Sequence, residues 1–197
     1  IRKLMSINLL LRLESSVNSF QLTLKRIKTL IENTIKAIDD FEKYGATDID
    51  MYEASDSEFD MDDGNTEYFT VGKKVKIELA DMDYMSWRAE LKADVDILEL
   101  LTLMIADITP EHDSKLQELL KLVSEKIENP INPGNKKVLI FSAFSDTAEY
   151  LYNNVSTYIK KKYGLDTAVI TGSIDGKTTI NGLRATLNNV LTCFSPI

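Results

Sequence analysis

Asn129-Pro130-Ile131-Asn132-Pro133-Gly134-Asn135-Lys136-Lys137-Val138-Leu139-Ile140-Phe141 is the stretch at which the chain changes character. Two prolines, a glycine and three asparagines within seven positions stop any helix that enters them. Four consecutive apolar residues follow two lysines. A short apolar run bounded by turn formers suits a strand covered on both faces, as in a parallel sheet. The spacing therefore predicts a boundary here, with a mostly helical part over 1–130 and an α/β part over 136–197.

Downstream, Ser145-Asp146 can cap a helix that presents Ala148, Leu151, Val155 and Ile159 on one face, and Gly164 ends it. Thr167-Ala168-Val169-Ile170 reads as a second strand and Thr171-Gly172-Ser173 as its loop. A last helix would carry Ile180, Leu183, Leu187, Val190 and Phe194. Strand–helix–strand–helix with short connections means a parallel α/β layer. Two strands do not make a stable open sheet alone, so this half reads as part of something longer. The start at Ile1 and the end at Ile197 fit boundaries inside a longer protein.

Upstream, Ile7, Leu10, Leu13, Val17, Phe20, Leu24, Ile27, Ile31, Ile35 and Ile38 recur in steps of mostly three and four. That is the seam of one amphipathic helix, about 50 Å long, ending near Tyr44-Gly45. A second helix is expected over 84–108, with Trp87, Leu91, Val95, Leu98, Leu101 and Ile105 on one face. A third starts at Thr109-Pro110-Glu111 and buries Leu116, Leu119, Leu120, Val123 and Ile127. The long seam needs a cover. An antiparallel bundle with the two later helices, in a monomer, is favoured over a dimeric coiled coil, because doubled positions such as Leu10-Leu11 and Leu30-Ile31 widen the seam.

Residues 46–68 hold nine acids and no Lys or Arg, which accounts for the net charge of −8. The remainder is close to neutral, so the acidic total does not exclude a nucleic-acid partner. The aperiodic segment 46–70 reads as a flexible acidic loop. Asp60-Met61-Asp62-Asp63-Gly64 lacks the ligand spacing of a calcium loop. One cysteine, Cys193, excludes a disulfide framework or a cysteine-based metal site within the chain. No apolar run is long enough to span a bilayer, and charged residues break up the N-terminal one. The expectation is a cytoplasmic protein.

Candidate chemistry is sparse. The single histidine, His112, stands between Glu111 and Asp113 in a polar stretch and reads as solvated. Cys193 lies in an apolar stretch and reads as a core thiol. Gly172-Ser173-Ile174-Asp175-Gly176-Lys177-Thr178 ends like a phosphate loop, but only three residues separate the glycines where four are needed. None of the 19 residues after Thr178 is acidic, so no magnesium-holding strand follows. A plain strand-to-helix loop is the preferred reading.

Lys137-Val138-Leu139-Ile140-Phe141-Ser142-Ala143-Phe144-Ser145-Asp146-Thr147-Ala148-Glu149-Tyr150-Leu151-Tyr152-Asn153-Asn154-Val155 resembles the opening of the second RecA-like lobe of superfamily 2 helicases, especially the Swi/Snf-type branch. Asp113–Leu120 resembles the helix before that strand, and Leu10-Leu11-Arg12-Leu13-Glu14-Ser15-Ser16-Val17-Asn18-Ser19-Phe20 is similar to a stretch in bacterial members. The resemblance implies a long-helix insert joined to a partial RecA-like lobe of an ATP-dependent translocase. It implies nucleic-acid backbone contacts, DNA by preference, at Ser142, Phe144, Ser145, Thr171, Gly172 and Ser173. Arg184 resembles an arginine that follows the Gly-Ser loop, at a longer gap. ATP and magnesium would be held by a first lobe before Ile1, and the arginine motifs would follow Ile197, so the chain alone is expected to be inactive. The alternative is a non-enzymatic coiled-coil interaction module.

Overall fold

A computed structural model of the chain describes residues 2–44, 79–172 and 176–195, with side chains from residue 6 onward. The acidic loop expected over 46–70, the glycine stop at Gly45 and the site residue Ser173 lie outside the described residues. Among the described residues the elements in order are α1 (Arg2–Ser15), α2 (Val17–Tyr44), a 3-10 turn (Leu79–Asp81), α3 (Tyr84–Ile105), α4 (Ser114–Glu128), α5 (Ser145–Tyr163), β1 (Ala168–Val169), β2 (Lys177–Thr178) and α6 (Leu187–Phe194). They divide into two compact units. One comprises Ile1–Leu10 with Phe20–Asp107; the other comprises Leu11–Ser19 with Ile108–Ile197.

In the first unit, α2 and α3 bury their seams. Leu24, Ile27 and Leu98 form the core, with Leu9, Phe20, Ile31, Leu101 and Ile105 around it. Farther along, Phe41 meets Tyr84 edge-to-face at 5.3 Å between ring centres. Polar groups rim the contact: the Gln21 amide donates to the Ile105 carbonyl at 2.8 Å, and Lys28 pairs with Glu99 at 2.7 Å. Arg88 bonds Asp39 at 2.5 Å and holds that carboxyl below its usual range.

The single long N-terminal helix is in fact two. The interruption falls at Ser16, whose hydroxyl accepts the Ser19 N–H at 3.0 Å and so caps α2. A serine side chain competes with the backbone for such a donor, which is why serine starts helices more readily than it continues them.

In the second unit, α4 and α5 pack together. Leu116, Val123, Ile127, Val155 and Ile159 form the core. The start of α4 also departs from expectation. Thr109 closes a turn with His112, and the helix begins only at Ser114, because the Asp113 carboxylate accepts both the Lys115 and Leu116 N–H groups, at 3.0 and 3.1 Å. The far end of α5 is closed by Gly164 at φ +66°, a left-handed position that costs glycine little.

The parallel α/β layer is overturned. The only sheet among the described residues has two strands of two residues each, β1 and β2, paired antiparallel with Ala168 opposite Thr178 and Val169 opposite Lys177. Val138–Phe141 forms no strand. Leu139 is 64% exposed and Phe141 86%. An apolar run becomes a buried strand only with backbone partners on its edges and cover on its faces, and neither is supplied among the described residues. The protein is mostly helical, and a RecA-like parallel lobe is not what these residues form. Cys193, expected in a core, is exposed on α6.

Candidate functional site

Among the described residues, a cluster of buried polar side chains lies in the second unit, where Leu11–Ser19 meets the start of α5. α5 begins at Ser145, preceded by Phe144 in extended conformation at the cap position. Ser145 is therefore the first helical residue, and its expected capping role is not taken up. The preceding turn is closed by Ser142: its hydroxyl accepts the Phe144 N–H at 3.2 Å and donates to the Phe144 carbonyl at 3.0 Å. Such side-chain turns let a chain enter a helix without a conventional cap.

Arg12 sits at the centre of the cluster. Its guanidinium donates to Asp146 Oδ2 at 3.0 Å, and both side chains are nearly withdrawn from solvent, at 7% and 11% exposure. It also bonds the Ser19 hydroxyl at 3.2 Å and lies 4.8 Å from the centre of the Phe144 ring. Ser15 and Ser16 each reach the Thr147 hydroxyl, at 2.8 and 3.1 Å. The Lys115 ammonium bonds the Glu14 carbonyl. Asp146 is well placed twice over: it pairs with Arg12, and an acid in the first turn of α5 complements the positive end of that helix. A buried charge is tolerated only when paired and hydrogen-bonded, and both conditions are met here.

A second polar contact secures α4 to α5. The Tyr150 hydroxyl donates to Asp113 Oδ2 at 3.0 Å, so one carboxylate caps α4 and anchors α5. Burial, with the adjacent carboxylate, raises the Tyr150 pKa well above its ordinary value.

No protein-family model matches this chain, and neither a curated protein nor a solved structure shows significant similarity to it. The residues themselves thus carry the functional reading.

Of the expected nucleic-acid contacts, Ser142, Phe144 and Ser145 come together at this junction: Ser142 exposed, Phe144 half-buried under Arg12 and Ser145 buried. Thr171 and Gly172 follow β1, the first half-buried and the second exposed. The near-miss phosphate loop has another use. Lys177 and Thr178 form β2 rather than starting a helix; the lysine pairs with Glu149 at 2.8 Å, and the Thr178 hydroxyl donates to the Thr167 carbonyl at 3.1 Å. The final helix starts late, at Leu187, with the Thr186 hydroxyl accepting the Asn189 N–H; Ile180–Arg184 form a turn and connection that contain Gly182 at φ +76°. Among the described residues no group of His, Cys, Asp and Glu is arranged to hold a metal ion.

Taken one at a time in the sequence, Arg12, Ser15, Ser16, Ser19, Asp146 and Thr147 pass as polar members of helix faces. A usable signal is nonetheless present. Arg12, Ser16 and Ser19 fall at i, i+4 and i+7, the spacing of one helical stripe, beside an apolar seam.

Proposed function

We propose that this chain is a segment of an ATP-dependent, helicase-type translocase that acts on nucleic acid, DNA by preference. One observation carries the reading. The two stretches that resemble the Swi/Snf-type branch, around Arg12 and around Asp146, lie 134 residues apart and are locked together by a nearly buried ion pair. In this reading the junction is a stiff joint that transmits force, while ATP and magnesium are held elsewhere in the longer protein. Ser142 and Gly172 are exposed members of the expected contact set, and in this reading the Ser142 hydroxyl exchanges its bond to the Phe144 carbonyl for a phosphate oxygen that positions a duplex without its sequence being read. Phe144 and Ser145 at the start of α5, and Thr171 after β1, would position them. A cytoplasmic, monomeric protein fits the single cysteine, and no helix among the described residues is long and apolar enough to cross a membrane.

The second reading, a non-enzymatic helical interaction module, draws on the exposed apolar side of α3. ATP turnover separates the two. The longer protein should hydrolyse ATP faster with duplex DNA present, whereas the isolated 197-residue chain should show no turnover. A longer protein without DNA-stimulated turnover would favour the module. Turnover by the isolated chain that Lys177→Ala abolishes would restore the phosphate-loop reading and overturn the proposal.

A further inference from the structure

α3 has two apolar faces, and the packing in its unit uses one. Leu98 is buried, with Leu101 and Ile105 beside it. On the opposite side Met85, Ile97, Leu100 and Met104 are 49%, 57%, 59% and 70% exposed, and Ala89 and Ala93 between them are exposed as well. The steps from 85 through 89, 93, 97, 100 and 104 are four, four, four, three and four. That is a continuous stripe along one helix face, about 28 Å long. Large side chains at both ends with alanines between them leave a shallow trough in which another helix axis can approach closely. A strand or loop would not match the three-and-four spacing.

Charge identifies the occupant. Glu90, Asp94 and Asp96 are exposed around the stripe, against one lysine, Lys92, which also acts electrostatically on Asp39. The other charged residues of α3, Arg88 and Glu99, are engaged with Asp39 and Lys28. A second copy of this face would bring acids against acids, and like charges across an interface disfavour pairing. An acid-rimmed apolar stripe is complementary to a helix with leucine-like residues on one side and lysine or arginine at its edges.

We infer that the exposed face of α3 is a docking surface for a basic amphipathic helix of a partner protein. The inference stands whether or not the chain belongs to a translocase.

The test uses the full 197-residue chain and a fluorescein-labelled peptide of leucine and lysine in amphipathic order, about 18 residues or five turns long. Fluorescence anisotropy should show saturable binding. Leu100→Ser and Met104→Ser should each weaken it by roughly tenfold, since each removes apolar area that the complex buries. Asp94→Lys with Asp96→Lys should weaken it and flatten its salt dependence. Because these side chains are exposed, the thermal unfolding of the variants should match the parent and exclude misfolding as the cause. Equal binding by a leucine–glutamate peptide, or by a scrambled leucine–lysine peptide, would overturn the inference. So would binding indifferent to all four substitutions, which would place the peptide elsewhere on this acidic protein. Sedimentation showing a dimer that Leu100→Ser dissolves would assign the face to a second copy instead.

Discussion

Arg12→Ala is the sharpest single test of the junction between Leu11–Ser19 and α5. It removes the partner of Asp146, a hydrogen bond to Ser19 and the cation over the Phe144 ring. Arg12 and Asp146 are exposed by only 7% and 11%, so water cannot fully replace the lost guanidinium. Breaking such a pair from one side costs about 3–5 kcal/mol, because the buried carboxylate loses its guanidinium. Against a total stability on the order of 5–15 kcal/mol, that is a large fraction. Asp146→Asn keeps an oxygen that can accept from Arg12, and it should cost less, about 1–3 kcal/mol. Removing both charges as Arg12→Met with Asp146→Leu should recover part of the loss, since no buried charge is then left alone. Urea unfolding followed by far-UV circular dichroism gives the three values, and amide exchange locates them. Exchange should accelerate in the first turns of α5 before the rest of that helix. If Arg12→Ala and Asp146→Asn each shift stability by less than about 0.5 kcal/mol and add without coupling, the pair is an ordinary surface contact and the stiff joint does not exist.

Asp113→Ala should cost about 1–2 kcal/mol through loss of the α4 cap, and Tyr150→Phe about 1 kcal/mol. In the double variant the effects should fall short of their sum, because the two share one bond at 3.0 Å. Gly176→Ala should destabilise by about 1–3 kcal/mol. A Cβ there would overlap the Ala185 carbonyl oxygen and the Ile170 side chain, and loss of the β1–β2 pairing by amide exchange is the readout. Acid should weaken the fold in a defined window. The carboxyls of Asp39, Asp166 and Glu128 are held below their usual range, chiefly by hydrogen bonds from Arg88, Lys160 and Tyr163 respectively. Depressed folded-state values mean that this stability is present above about pH 4 and is lost as pH falls through the lowered values. The melting temperature should therefore drop between about pH 5 and pH 3, and Asp39→Asn should shallow that slope. All three are surface groups, so the change per residue is small.

The legible parts of this fold are those in which one helix face meets another. Leu24, Ile27, Leu98, Leu101 and Ile105 stand at helical spacing in the sequence and in a shared core in the structure. Leu116, Val123 and Ile127 do the same in α4, and Gly164 ends α5 as its type suggests. Periodicity is a property of the segment itself, so a single sequence displays it. Val138–Phe141 shows the opposite case. Its composition specifies a strand only on condition that other strands flank it, and that condition belongs to the surroundings. The stop before it is legible because proline and glycine act through local geometry.

The junction at Arg12 lies between these two cases. Apart from the i, i+4, i+7 spacing of Arg12, Ser16 and Ser19, its residue types advertise little: an arginine, three serines, an aspartate and a threonine are each ordinary on a helix surface. Only their pairing across 131 to 134 positions turns them from solvated groups into a buried network. Each member depends on the others, since a lone buried charge or hydroxyl is costly and a satisfied set is not. That interdependence ties the stretch Leu11–Ser19 to the start of α5. An arginine stripe could drift alone, and so could an Asp-Thr helix start. A buried pair cannot lose one partner without exposing the other to the full cost of desolvation, so the two stretches constrain each other as a single unit.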